Sequence, residues 1–199
     1  MIVHLAVRIS LAVALLFSAP LTLSAQRAHA TARIFDPFSM VHCGSDIAKA
    51  LIGRPFPNGS SKAAESAHTA IGLRDVGGSI VNDSLFLGGW SMCGHEYQLL
   101  ISGDKITAVL AFPTHSRRQP AIIGTCTVRG KALGDGVLAV LDNPAPRSVG
   151  QPPYSPEDTT SLSAIAAWRI DEKNRQFREL SATSVQCPRG QIFTIDGGM

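Results

Sequence analysis

Four cysteines limit the possible folds of this chain more than any other feature of its sequence. They are Cys43, Cys93, Cys126 and Cys187. None of them belongs to a C-x-x-C motif, so their spacing gives no support for a thioredoxin-like redox site. An even number of cysteines in an exported chain is typical of a disulfide framework, and four cysteines allow three connectivities. The compartment in which the protein folds therefore decides what these cysteines do.

The first thirty residues have the organisation of a secretory signal peptide. Arg8 precedes an apolar run over residues 9–23, and Ala28-His29-Ala30 has the small-x-small pattern of a signal peptidase site. The apolar run has about 15 residues, whereas a helix that crosses a bilayer needs roughly 20. Pro20, near the end of the run, also favours a signal cleaved after residue 30. A retained membrane anchor is the alternative.

Cleavage after Ala30 would release one exported domain, residues 31–199, without a membrane span. We therefore expect a periplasmic or secreted protein. A loop that contains prolines lies near the middle of this domain, so two subdomains, residues 31–113 and 120–199, are possible.

The favoured disulfide pairing closes one loop in each half of the chain. It joins Cys43 to Cys93 and Cys126 to Cys187, which closes loops of some 50 to 60 residues. The chain-entropy model assigns each such bridge about 4 kcal/mol of stabilisation. A zinc site that combines the first two cysteines with neighbouring histidines is the alternative, but the spacing matches no zinc finger or ribbon. We therefore expect disulfides, and neither a metal nor another cofactor.

Short helical segments precede longer β-favouring segments. Helices are predicted over residues 46–52, with Ser45 as the N-cap, and over residues 61–71, and a glycine ends each of them. Apolar runs at residues 97–101 and 106–112 flank a polar turn, which predicts a β-hairpin. The sequence thus predicts an α+β fold, in which two short N-terminal helices pack on a mainly antiparallel β-sheet and the second half is β-rich.

Other segments add detail to this fold prediction. A strand pattern begins at Gly77, and the strand at residues 106–112 is apolar on both faces, which predicts a central or helix-covered position. Residues 185–187 are expected to form an edge strand. The loop over residues 143–161 contains five prolines and is long enough to be mobile or functional. Its segment 152–156 is either a connector or an extended ligand for a partner.

The segment Cys93-Gly94-His95-Glu96 resembles the start of a catalytic or metal site. A zinc protease helix needs H-E-x-x-H, but Leu99 stands at the fifth position. On a strand His95 and Glu96 would point to opposite faces, so they could not act as an acid–base pair. We interpret His95 as partly buried beside a disulfide. The alternative is an exported hydrolase that uses His95, although the chain has no G-x-S-x-G nucleophile motif.

The charge balance gives no reason to expect nucleic acid or anionic lipid as a partner. Without the signal peptide, 16 basic and 15 acidic residues remain, a net charge of about +1. His115, Arg117 and Arg118 form one compact basic cluster, which is either an anion site or a solvated loop. His68 and Glu65 are expected to form a solvated pair on one helix.

Part of the chain resembles a known family of inhibitors. Residues 43–55, CGSDIAKALIGRP, place a cysteine before a short helix that ends in L-x-G-x-P. Residues 98–112, later in the chain, have the pattern of a hairpin. This part of the chain, residues 43–112, resembles small bacterial secreted peptidase inhibitors of the potato-inhibitor-like kind. Cys93 precedes the hairpin instead of following the last strand, and residues 73–76 give no clear match to a reactive loop. The resemblance implies a possible inhibitor, and no functional residue is transferred.

The export signal, the paired cysteines and the missing catalytic motifs together favour one function. We expect an exported, disulfide-stabilised, non-catalytic protein that binds a protein or a component of the cell envelope through its loops. A hydrolase that uses His95 and a secreted peptidase inhibitor are the alternatives.

Overall fold

The computed structural model describes residues 35–56, 62–134, 136–148, 150–152 and 154–192. The predicted signal peptide lies outside them. The described residues form mainly antiparallel β-sheets with few, short helices and two disulfides. This β-rich architecture is compatible with the predicted α+β class. No helix in this part of the chain is long and apolar enough to cross a membrane.

The described residues form two α-helices and eleven strands, which we number in chain order. The helices are α1 (Ile47–Leu51) and α2 (Lys62–Ala70). The strands are β1 (Arg74–Asn82), β2 (Leu85–Met92), β3 (His95–Ser102), β4 (Lys105–Phe112), β5 (Ala121–Gly124), β6 (Thr127–Val128), β7 (Lys131–Ala132), β8 (Val137–Leu141), β9 (Ser161–Asp171), β10 (Gln176–Glu179) and β11 (Val185–Pro188). Single 3-10 turns lie at Pro37–Met40, Ala182–Ser184 and Arg189–Gln191.

Helix α1 begins one residue later than the sequence predicts. Its N-cap is Asp46, whose carboxylate accepts a hydrogen bond from the Lys49 amide at 3.0 Å. Ser45 does not serve as the N-cap because its hydroxyl donates to the His42 carbonyl at 2.6 Å. The carboxylate also suits the positive end of the helix dipole, so Asp46 satisfies one of the free amides of the first turn.

The first sheet is an antiparallel meander in the order β1-β2-β3-β4. The predicted hairpin is confirmed, since β3 and β4 pair around the turn at Gly103. Of the two positions predicted for β4, the helix-covered one is confirmed, because β4 lies at one edge of this sheet and packs against α1. Its two apolar faces are nevertheless both covered. Ile106 packs in the core on the helical side, and Phe112 packs toward the second sheet.

The second sheet has the order β5-β8-β9-β11-β6-β7, and β10 pairs with β9. The expectation that residues 185–187 form an edge strand is wrong, because β11 lies between β9 and β6. The Cys126–Cys187 disulfide explains this position, since it joins β11 to the residue that precedes β6. Strand β6 has only two residues, too few for strand propensity to predict it from the sequence. The sequence therefore could not show that β11 has a neighbouring strand on both sides.

The first sheet packs against the helices on one face and against the second sheet on the other. Phe38, Leu51 and Leu99 are buried in the core on the helical side. The rings of Phe112 and Trp168 are 5.7 Å apart in the core between the two sheets. Each fully buried side chain of this size contributes about 1.5–3 kcal/mol relative to an exposed one. The first sheet is therefore packed on both of its faces, which fixes the positions of its two edge strands.

The two disulfides have the pairing that the sequence favours. Cys43 is bonded to Cys93 across 50 residues, and Cys126 is bonded to Cys187 across 61 residues. The second pair is fully buried in the core beneath the second sheet. Each bridge lies within one half of the chain, so each restrains a different group of strands.

Candidate functional site

The residue singled out by the sequence, His95, is exposed at the start of β3. The expectation that it is partly buried is therefore wrong. No hydrogen bond or ion pair joins its ring to another described residue. Catalytic imidazoles are normally oriented by a third group, and none of the described residues orients His95. The described residues also contain no cluster of three or more His, Cys, Asp or Glu side chains that could hold a metal ion.

Glu96 points away from His95 and binds a different histidine. Its carboxylate accepts a hydrogen bond from Gln98 at 2.7 Å and lies 2.9 Å from the Nε2 atom of His115. His115, which the sequence groups with Arg117 and Arg118, thus has a half-buried carboxylate as its partner. The sequence missed the pair because only the register of β3 with β4, which places Glu96 opposite Phe112, brings the two side chains together.

Ser91 lies next to Glu96 across β2 and β3, on the same face of the first sheet. Its side chain is 5% exposed, and its hydroxyl makes no hydrogen bond to another described residue. In particular, no hydrogen bond joins it to a histidine. A serine nucleophile needs such a contact with a base, so the geometry does not assemble a catalytic triad here.

His68 forms the second histidine–carboxylate pair, with Asp36. Its Nε2 atom lies 2.6 Å from one oxygen of the buried Asp36 side chain, and the other oxygen accepts from the Phe38 amide. The expected pairing of His68 with Glu65 is therefore wrong. Asp36 is 32 residues away in sequence, and only the packing of α2 against the first 3-10 turn brings it close. The carboxylate fixes the orientation of the imidazole.

An open cleft of about 640 Å³ lies beside His68. Arg74 and Ser91 also line it. Its other lining residues are Gly94, at the turn between β2 and β3, and residues that directly precede β1. Its lining includes the Arg74 guanidinium and the His68 imidazole that is paired with Asp36, with no acidic side chain among the described lining residues. This chemistry suits an anionic group.

Strand β1 forms the other edge of the first sheet and is exposed from Arg74 to Ile80. From Val76 to Asn82 it has neither a charged residue nor a proline, which are two of the features that protect edge strands. Its register with β2 is regular over residues 77–80 and shifts on either side of that stretch. Apart from its pairing with β2, the backbone of β1 bonds only to side chains of the same strand among the described residues: the Gly77 amide donates to Asp75 at 2.7 Å, and the Ile80 carbonyl accepts from Ser79 at 3.3 Å.

The edge at β4 is covered, in contrast to the edge at β1. Gly53 donates to the Ile106 carbonyl at 2.8 Å, and the Ile106 amide donates to Arg54 at 2.9 Å. Pro55 forms a bridge with Lys105. The same sheet thus has one edge that the chain itself occupies and one that it leaves unpaired within the described residues.

An apolar pair lies beside the open edge. Ile80 is 79% exposed, and its cross-strand neighbour Phe86 is 37% exposed. The Phe86 ring packs against two glycines, since a Cβ atom added to Gly78 would be only 2.5 Å from Phe86 Cζ and one on Gly88 would be 3.2 Å from the ring. Gly78 is therefore required for this arrangement. The ring provides an apolar surface next to the β1 edge.

Comparison of the chain with models of protein families, with curated proteins and with solved structures found no match. The resemblance to potato-inhibitor-like proteins thus stays a prediction. Function has to be inferred from the open β1 edge, the apolar pair beside it and the cleft at its beginning.

Proposed function

We propose that the protein is an exported, disulfide-stabilised, non-catalytic binding protein that holds an extended segment of a partner protein against strand β1. The observation that carries this proposal is the open edge of β1. Unpaired amides and carbonyls on a sheet edge are a template for another strand, and side chains of the added strand provide specificity.

The contrast between the two edges of the first sheet supports the proposal. An edge with seven successive residues that lack charge and proline is an aggregation hazard unless the protein uses it. The chain covers the edge at β4 with residues 53–56, yet it leaves β1 without charge or proline over residues 76–82. The exposed Ile80 and Phe86 add an apolar contact for the incoming strand. The two disulfides are compatible with export, which the sequence predicts at residues 1–30.

The alternatives have less support from the described residues. A hydrolase that uses His95 lacks an orienting group for that ring. A peptidase inhibitor needs an exposed reactive loop, but Arg74, Asp75 and Val76 belong to strand β1. A binding role at the sheet edge explains the open edge of β1 and the exposed Ile80 and Phe86 beside it, which these alternatives leave unexplained.

The proposal can be tested with a library of random twelve-residue peptides displayed against the oxidised protein. We expect selected peptides to protect the backbone amides of residues 77–80 from hydrogen exchange. Ile80→Lys places a charge at the edge and should weaken their binding about tenfold, a loss of about 1.4 kcal/mol. Ile165→Lys is the matched control, because Ile165 is an exposed isoleucine on the second sheet and its substitution should leave the Kd unchanged.

Two results would contradict the proposal. One is a selection that yields no binding peptide. The other is a set of peptides whose binding is insensitive to Ile80→Lys and whose protected amides lie outside β1.

A further inference from the structure

The cleft lies at the beginning of the open edge. Arg74 is the first residue of β1 and also lines the cleft, so the two features are continuous. β1 runs from the cleft toward Asn82. A strand that pairs with β1 in the antiparallel sense therefore arrives at the cleft with its carboxyl end, whereas a parallel strand would arrive with its amino end.

The cleft has the chemistry of a carboxylate site. The Arg74 side chain is exposed and forms no ion pair with any described residue, so its guanidinium is available to a ligand. A planar guanidinium can donate two parallel hydrogen bonds to a carboxylate. His68, held by Asp36, also lines the cleft. A free α-amino group would be repelled by the Arg74 charge.

Ser91 provides a second polar group in the cleft. The residue is 5% exposed and lines the cleft, and its hydroxyl forms no hydrogen bond with a described residue, so it is available to donate to a ligand there. Ser91 and Arg74 are direct cross-strand neighbours in the β1–β2 register, so one ligand can reach both side chains.

The apolar pair lies toward the far end of β1. Ile80 is six residues from Arg74, which is roughly 20 Å along an extended strand. A partner segment anchored at Arg74 by its last residue would place a side chain five or six positions upstream against Ile80 and Phe86. Charge at one end and apolar contact at the other would fix both the direction and the register of the added strand.

We infer, on the basis of the proposed function, that the partner segment is the carboxyl terminus of a protein. It runs antiparallel to β1, its free α-carboxylate pairs with Arg74 in the cleft and accepts a hydrogen bond from Ser91, and an apolar side chain upstream packs on Ile80.

Peptides with modified ends test this inference. The random twelve-residue library is displayed in two formats, with free carboxyl termini and with free amino termini, and the best carboxyl-terminal peptide is synthesised as the acid and as the amide. We expect the acid to bind at least about tenfold more tightly than the amide, the effect of one lost charge-assisted contact. Higher salt should weaken the acid more than the amide.

Variants of the protein locate the contact. Arg74→Gln should lower the affinity for the acid to that for the amide and leave the affinity for the amide unchanged. Ser91→Ala should also weaken the acid selectively. Arg178→Gln, which removes an exposed arginine from β10, is the matched control and should change neither affinity. Because Arg74 is exposed, its variant should unfold at the same temperature as the wild type.

The outcomes separate the two proposals. Equal binding of acid and amide to a peptide that still protects residues 77–80 overturns the carboxylate inference and leaves edge binding intact. Failure to select any peptide that protects β1 overturns both. Selective loss of acid binding in Arg74→Gln, with the amide unaffected, supports the inference.

Discussion

Arg189 ties the end of the described chain to the Pro-rich loop through Asp158. Its Nη2 atom lies 2.7 Å and its Nε atom 2.8 Å from one oxygen of that carboxylate. Hydrogen bonds from Thr160 and Arg189 lower the pKa of Asp158 to about 2. The folded state therefore stabilises the ionised form of the Asp158 carboxylate more than the unfolded state does.

This lowered pKa predicts how the stabilising effect of Asp158 depends on pH. A depressed pKa stabilises the folded state above the ordinary aspartate pKa of about 3.9, and that stabilisation is lost as the pH falls toward the folded pKa of about 2. Thermal unfolding of the wild type and of Asp158→Asn should thus give Tm values that differ most above about pH 5 and converge between about pH 4 and pH 2.

Asp104→Asn provides the control for this titration, because Asp104 is exposed in the turn between β3 and β4. Its Tm should follow that of the wild type over the whole range. A Tm difference for Asp158→Asn that is constant from pH 2 to pH 7 would show that the carboxylate charge contributes nothing.

At the scale of elements, the long loop between β8 and β9 is fixed to the core by one tyrosine. Tyr154 is buried, and its hydroxyl accepts hydrogen bonds at 3.0 Å from the Asn143 side chain and from the Arg147 amide. The guanidinium groups of Arg147 and Arg189 lie 4.7 and 5.0 Å from the centre of its ring. The described part of this loop is therefore anchored.

Removal of the Tyr154 hydroxyl should destabilise the protein. Tyr154→Phe leaves the buried Asn143 side-chain amide with only the Arg117 carbonyl at 3.4 Å and takes the acceptor from the Arg147 amide, and a poorly satisfied buried group costs about 1–3 kcal/mol. Urea unfolding should report that loss. Tyr97→Phe changes the other tyrosine of the chain, whose hydroxyl bonds to no described residue, and should cost less than about 0.5 kcal/mol. Equal losses in the two variants would contradict an anchoring role for Tyr154.

The elements that sequence patterns predict best are the local ones. The β3–β4 hairpin is defined by two apolar runs and the turn between them, so it could be predicted. The strand pattern that begins at Gly77 predicts the later part of β1, but neither its start at Arg74 nor its position at a sheet edge, because the edge position depends on which strands pair. The open edge that forms the candidate site can therefore be recognised only once the strand pairing of β1 is known.

Side-chain partners that are distant in sequence were also beyond prediction. His68 and Glu65 share a helix surface, yet the partner of His68 is Asp36. His115 pairs with Glu96, which lies 19 residues earlier. Both pairs depend on how whole elements pack, whereas sequence spacing reports only neighbours within one element.

For the whole molecule, the two disulfides stabilise different halves in different surroundings. Cys126 and Cys187 are fully buried in the core of the second half, whereas Cys43 is exposed and Cys93 is half-buried. Loops of 50 and 61 residues have nearly the same closure entropy, about 4 kcal/mol in the chain-entropy model. Any large difference between the bridges must therefore come from burial rather than from loop length.

Paired substitutions measure that difference. The variant with Cys126→Ala and Cys187→Ala loses the cross-link and also leaves space in a packed core, so its free energy of unfolding should fall by more than about 4 kcal/mol. The variant with Cys43→Ala and Cys93→Ala should lose about 4 kcal/mol or less, since little buried volume is removed. Urea unfolding followed by circular dichroism compares the two at one pH.

Since domains of this kind have total stabilities of about 5–15 kcal/mol, the buried-pair variant should be the one that is partly unfolded in buffer. A greater loss in the variant of the exposed pair would mean that the bridge between Cys43 and Cys93, by holding α1 and the first sheet together, contributes more to stability than the buried core does.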